Sequence, residues 1–110
     1  MNQAPFSLMG KIALVTGASR GIGEATARLF ASQGAQVIIS SRRQEALDEL
    51  AEAINQEGHS GKVFGMACHI GNEESVQSLL EKISEQFSTI DILVNNAATN
   101  PFFGELIDTP

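Results

Sequence analysis

The segment KIALVTGASRGIG, Lys11 to Gly23, runs from consecutive apolar and β-branched residues straight into three glycines within seven positions. An unbroken apolar run marks a strand buried on both faces, and clustered glycines mark backbone that turns sharply or is approached closely. After the glycines, Ile22, Ala25, Leu29 and Phe30 recur at helical spacing until Gly34, which predicts a helix with those four residues on its buried face. A strand that passes through glycines into a helix N-terminus is an anion-binding arrangement, because free N–H groups and the positive end of the helix dipole point to one place. Gly17 is expected to make the turn off the strand, Gly21 to let backbone approach a pyrophosphate, and Gly23 to let the helix pack closely on the sheet.

Working outward, the same rhythm repeats. AQVIIS, Ala35 to Ser40, predicts a second buried strand, and Leu47, Leu50, Ala51 and Ile54 mark a second helix that ends in the breaker run EGHSGK. KVFGMA, Lys62 to Ala67, predicts a third strand; Val76, Leu79, Leu80, Ile83 and Phe87 mark a third helix; IDILVN, Ile90 to Asn95, predicts a fourth strand. Buried strands joined by long helical crossovers imply an α/β fold with a parallel sheet and right-handed connections. The expectation is the first half of a doubly wound Rossmann-type sheet, βαβαβαβ in strand order 3-2-1-4, forming one NAD(P)-binding domain over residues 1–110. The fourth strand would be an open edge, and one face of the sheet would be covered by a single helix. Thr109 followed by Pro110 has the form of an N-cap and first helical residue, so the domain is expected to be the N-terminal part of a larger unit, truncated before its second half.

Composition narrows the function. With 43% hydrophobic and 18% charged residues the chain has the make-up of a globular domain. A net charge of -6 and dispersed basic residues argue against nucleic acid or an anionic membrane surface as a partner. The start MNQAPFSLMG lacks the basic and continuous apolar regions of a secretory signal, and no window approaches the roughly 20 apolar residues of a membrane span, so a cytoplasmic location is expected. The single cysteine, Cys68, has no internal disulfide partner and no CxxC neighbour for a metal; it reads as a small buried apolar residue.

TGASRGIG together with LVNNAA resembles the short-chain dehydrogenase/reductase family, and the order of strands, helices and both motifs is that of the family's N-terminal half. SSRR, CHIG and NAATNPFFG look more narrowly like its NADPH-dependent carbonyl and retinal reductases. The resemblance implies an oxidoreductase that transfers hydride between NADP(H) and a small carbonyl or alcohol substrate, and a complete protein that is a homo-oligomer. It places Gly17, Ser19, Arg20 and Ile22 around the cofactor's phosphates and adenine ribose, and Asn96 and Ala97 along the ribose and nicotinamide. Asn95 would bridge neighbouring strands, and Ala98 stands where the family usually has glycine. The family's chemistry belongs to a Tyr and a Lys four residues later, with a Ser and an Asn. This chain contains no tyrosine, so no catalytic residue is assigned to it, and the 110 residues are expected to be inactive alone. A stand-alone nucleotide-binding module is the alternative.

The end of the second strand bears on the choice of cofactor. A carboxylate about 20 residues past the glycines would bind the ribose of NAD and repel the 2′-phosphate of NADP. Ser41 stands there instead, followed by Arg42 and Arg43, with Arg20 able to reach the same region. Guanidinium against phosphate is a charge-assisted pairing, so NADP(H) is expected over NAD(H); the alternative is that both arginines are solvated residues opening a helix. Cations at a helix start oppose its dipole, so their placement needs a compensating partner. At the end of the third strand the family commonly carries an Asp that accepts from the adenine amino group. His69 could accept there through a neutral imidazole, with Ile70 touching adenine, or could be a plain loop histidine. His59, between glycines, reads as a solvated turn residue.

Overall fold

IALVT is apolar up to its last residue because helices cover both faces of the strand it forms. In the computed structural model, which describes residues 7–18 and 21–96, that strand is β1 (Ile12–Thr16), followed by α1 (Ile22–Ser32), β2 (Gln36–Ser40), α2 (Gln44–Asn55), β3 (Lys62–Gly65), α3 (Glu73–Phe87) and β4 (Ile92–Asn95). All pairings are parallel and the sheet order is β3-β2-β1-β4, the doubly wound half that the βαβ rhythm implies. Alternation along each strand sorts side chains to two cores. Val15, Val37, Ile39 and Val63 meet Ala27 and Ala31 of α1 and Leu47, Ala51 and Ile54 of α2. Leu14 and Ile38 point the other way, to Val76, Leu79 and Ile83 of α3. Among the described residues one face thus has two helices and the other one.

The buried face of α1 differs from the expected one. Gly23, Ala27 and Ala31 are buried, whereas Ile22 is 76% and Leu29 57% exposed and Ala25 is exposed too. Only Phe30 of the four expected residues packs against the core, and it does so partly buried. Small residues let the helix axis sit close to the sheet, and that close approach outweighs the area a larger residue would bury. On α2 and α3 the expected faces hold, with Leu47, Ala51 and Ile54 buried on the one and Val76, Leu79 and Ile83 on the other.

The strands are shorter than the apolar runs. Ile90 and Asp91 precede β4, yet Asp91 continues its pairing: its N–H donates to the Ile12 carbonyl at 2.8 Å and its Oδ2 accepts from the Ile12 N–H at 2.8 Å. Met66 and Ala67 lie past β3, yet Met66 N–H still reaches Ile39 O at 3.0 Å. The outer edge of β3 is occupied by side chains of α2. Asn55 both donates to Val63 O and accepts from Val63 N–H at 2.9 Å, and Gln44 donates to Gly65 O and accepts from Ala67 N–H at 2.8 Å. Each amide offers one donor and one acceptor, which is what a neighbouring strand would offer. Among the described residues no further strand lies beyond β4, and no helix is long and apolar enough to cross a membrane.

Candidate functional site

Every strand ends at the same side of the sheet, so the loops after β1, β2 and β3 and the tail of β4 converge there. Strand order reverses between β1 and β4, and the crevice at such a reversal is where open α/β sheets bind ligands.

The loop after β1 is shaped by backbone. Gly17 and Gly21 have φ of 67° and 68°, a region that side chains strain. A Cβ on Gly21 would meet nothing within 4 Å, so glycine is needed there for its dihedrals, and the space beside it is open. Gly23 is needed for the opposite reason. Its Cβ would stand 2.5 Å from Ala18 Cα and from Gly17 O, so the helix is drawn against the loop itself, where the sequence suggested the sheet. Gly17 N–H donates to Ser40 O at 2.8 Å, tying the turn to β2. Gly21, as N-cap, brings no side chain to the first turn of α1, whose leading N–H groups have no acceptor within the helix. The one acid in that turn, Glu24, is held at 2.9 Å by Arg28. Arg28 also binds Glu57 at 2.9 Å, and Glu57 binds His59 at 2.7 Å, so His59 has a partner. Donation to Glu24 and Glu57 raises the Arg28 pKa, and the His59 hydrogen bond, then Arg28, holds the Glu57 carboxyl below the usual range.

At the ends of β1 and β2 two polar side chains are fully buried, and both are satisfied. Thr16 Oγ1 donates to Asn95 Oδ1 at 2.8 Å, which makes Asn95 the bridge between β1 and β4. Ser40 Oγ donates to Met66 O at 2.6 Å.

The loops after β2 and β3 run side by side. Cys68 N–H donates to Ser41 O at 2.8 Å, and one step further Arg42 Nη2 lies 3.1 Å from His69 Nε2. The His69 backbone is fixed by the start of α3: its N–H donates to Ser75 Oγ at 2.9 Å and its carbonyl accepts from Asn72 N–H at 3.0 Å. Asn72 caps α3 by accepting from Ser75 N–H at 2.9 Å. That Asn-x-x-Ser spacing is the signal by which Asn72 and Ser75 could have been found in the sequence. Ile70 packs, half-buried, against the α3-side core, and Arg43 is the exposed N-cap of α2. Cys68 is buried, and burial pushes its thiol pKa up. Asn96 is exposed just past β4. Ser19, Arg20, Ala97 and Ala98 lie outside the described residues, as do Thr109 and Pro110.

The sequence pattern of the short chain dehydrogenases matches residues 11–108. The chain belongs to this family. Among curated short-chain dehydrogenases, dehydrogenase/reductase SDR family member 4 of Mus musculus is 46% identical over 101 residues, covering 92% of this chain and 36% of the relative. Tropinone reductase-like 3 of Erythroxylum coca is 38% identical over 100 residues, covering 91% of this chain and 38% of the relative. Of solved structures, 2-keto-3-deoxy-D-gluconate dehydrogenase from Streptococcus agalactiae superposes with a TM-score of 0.77 at 41% identity, over 86% of this chain and 35% of that one. L-sorbose reductase from Gluconobacter frateurii, complexed with NADPH and L-sorbose, gives 0.78 at 35% identity, over 84% and 35%. The chain therefore spans little more than a third of the length of the short-chain dehydrogenases it matches.

Proposed function

We propose that these 110 residues are the NADP(H)-binding part of an oxidoreductase that moves hydride between NADP(H) and a small carbonyl or alcohol substrate. The observation that carries the cofactor choice is the rim after β2: no carboxylate follows the strand, Ser41 stands in its place, and Arg42 is exposed beside it. The residues present fit a dinucleotide, since the backbone beside Gly21 is open and α1 starts without a side-chain cap. Gly17, Gly21, Ile22 and Gly23, with Ser19 and Arg20, would hold the pyrophosphate and adenine ribose. Ser41, Arg42 and Arg43, with His69 beside Arg42, would take the 2′-phosphate, Ile70 the adenine side, and Asn96, Ala97 and Ala98 the nicotinamide side. Bound NADPH supplies the hydride; the chain supplies position and charge.

Titration of NADPH and NADH against the chain tests the reading. Losing one charge-assisted contact costs about 1.5–3 kcal/mol, or roughly 10- to 150-fold in affinity. Arg42→Ala should weaken NADPH by that factor and leave NADH almost unchanged, and Ser41→Asp should reverse the preference. NADH binding as tight as NADPH to the unmodified chain would sink it. Reduction of a carbonyl also needs a proton donor against the developing charge, typically worth 10²- to 10⁴-fold. With no tyrosine in the chain, NADPH oxidation over a panel of ketones, quinones and aldehydes should stay at background. Turnover above that would place an active site within these residues.

A further inference from the structure

Arg42 and His69 come from different crossovers, 27 positions apart, and their meeting is built rather than incidental. Past the paired strands, β2 and β3 stay joined by Met66 N–H to Ile39 O at 3.0 Å and Cys68 N–H to Ser41 O at 2.8 Å, and by Ser40 Oγ to Met66 O at 2.6 Å. The next residue on each side is Arg42 and His69. The His69 main chain is anchored through Ser75 and Asn72, so its ring projects from a fixed point, with Gly71 close beneath: a Cβ there would stand 3.4 Å from His69 Cε1.

A guanidinium can only donate. The imidazole therefore accepts at Nε2 and, in this contact, is neutral with its proton on Nδ1. That matters for what Arg42 can still do. A carboxylate at position 69 would also hold the guanidinium, but as an ion pair that cancels the charge a phosphate needs. A neutral imidazole restrains a long side chain that would otherwise lose rotamer freedom on binding, and leaves its full charge and its remaining N–H donors available.

Resting on the NADP(H) reading above, we propose that His69 is a positioning residue for cofactor specificity: it holds Arg42 in place without neutralising it, so that the guanidinium is poised for a 2′-phosphomonoester. In this role His69 serves the 2′-phosphate, and its acceptor nitrogen is engaged there instead of with the adenine amino group.

The test measures dissociation constants for NADPH and NADH, and for adenosine 2′,5′-bisphosphate against 5′-AMP, with the unmodified chain and with His69→Ala, His69→Gln, His69→Asp, Arg42→Ala and the Arg42→Ala/His69→Ala pair. Holding one long side chain in advance is worth about 0.5–1.5 kcal/mol, so His69→Ala should weaken the 2′-phosphorylated ligands roughly 2- to 12-fold and spare NADH and AMP. His69→Gln, which keeps an acceptor, should recover most of this, and His69→Asp should lose more than His69→Ala. In the Arg42→Ala background, His69→Ala should change nothing further. The imidazole ¹⁵N shifts of the ligand-free chain should show an unprotonated Nε2, and thermal melts check that the variants fold. Equal loss of both ligand classes, an undiminished His69→Ala effect without Arg42, or a protonated Nε2 would overturn the proposal. If Arg42→Ala weakens NADPH but His69→Ala does not, only this inference fails. If Arg42→Ala leaves NADPH unaffected, the underlying cofactor reading falls and this proposal with it.

Discussion

Two neighbouring walls at the carboxyl end of the sheet are made of opposite materials. The described part of the loop after β1 is shaped by backbone: glycines at positive φ, and a helix pressed so close that Gly23 has no room for a methyl group. The rim formed by the loops after β2 and β3 is side chain: Arg42 and His69, both exposed, meeting across a gap between two crossovers. A wall of main chain cannot distinguish two ligands that share a pyrophosphate, and it fails as a whole when altered. A wall of exposed side chains tolerates substitution and can tell one ribose substituent from another.

The comparison can be broken from either side. The largest effect is expected at Gly23. Its missing Cβ faces main-chain atoms at 2.5 Å, and overpacking against atoms that cannot swing away costs about 1–3 kcal/mol or more. Gly23→Ala should lower the denaturation midpoint and abolish NADPH and NADH binding alike. Discrimination between the two by that variant would mean the loop also selects, and the division of labour would be wrong. Thr16→Val comes next, since it removes the hydrogen bond from buried Thr16 Oγ1 to exposed Asn95; about 0.5–1.5 kcal/mol of stability should go, with the NADPH-to-NADH preference unchanged. Asn55→Ala should cost a similar or smaller amount by freeing the Val63 N–H and C=O; the expected sign is faster hydrogen exchange at Val63 with cofactor affinity unaltered. The smallest effect concerns Cys68. Burial raises its thiol pKa, so the reactive thiolate is scarce at neutral pH. Alkylation of the folded chain should be slow near pH 7, quicken as pH rises toward the raised value, and become fast on unfolding. Rapid labelling of the folded chain at neutral pH would show that the end of β3 is open.

What could be read from the sequence follows the same division. KIALVTGASRGIG fixes strand, turn and helix because the reasons are local: burial on both faces, positive φ, a free N-terminus. The two-sided apolar strands then leave little freedom in their order, since right-handed crossovers of this length are the only ones that pack. The buried face of α1 departs from the expected one because Ile22 and Leu29 carry the conventional helical period, whereas Gly23, Ala27 and Ala31 are small and apolar and give a weak signal. The rim was legible only in part. Ser41 and Arg42 could be placed at the end of a strand, but the contact of Arg42 with His69 depends on two loops staying joined beyond their strands, and no spacing in a single segment records that. Gln44 and Asn55 were invisible for a similar reason: a polar residue on a helix reads as solvated until the edge beneath it is seen.

Those two amides bear on how copies of this chain can meet. With β3 occupied by its own side chains, the β4 side is the sheet edge against which no other strand or helix side chain is seen among the described residues. Association through strand edges needs one free edge from each partner. Two molecules joined β4 to β4 about a twofold axis would each consume the β4 edge of the described sheet, and the product would be a pair of fixed size. Open-ended growth requires a second free edge on every unit, so removing Gln44 and Asn55 together would change the arithmetic of assembly from a closed count of two to an unbounded fibre.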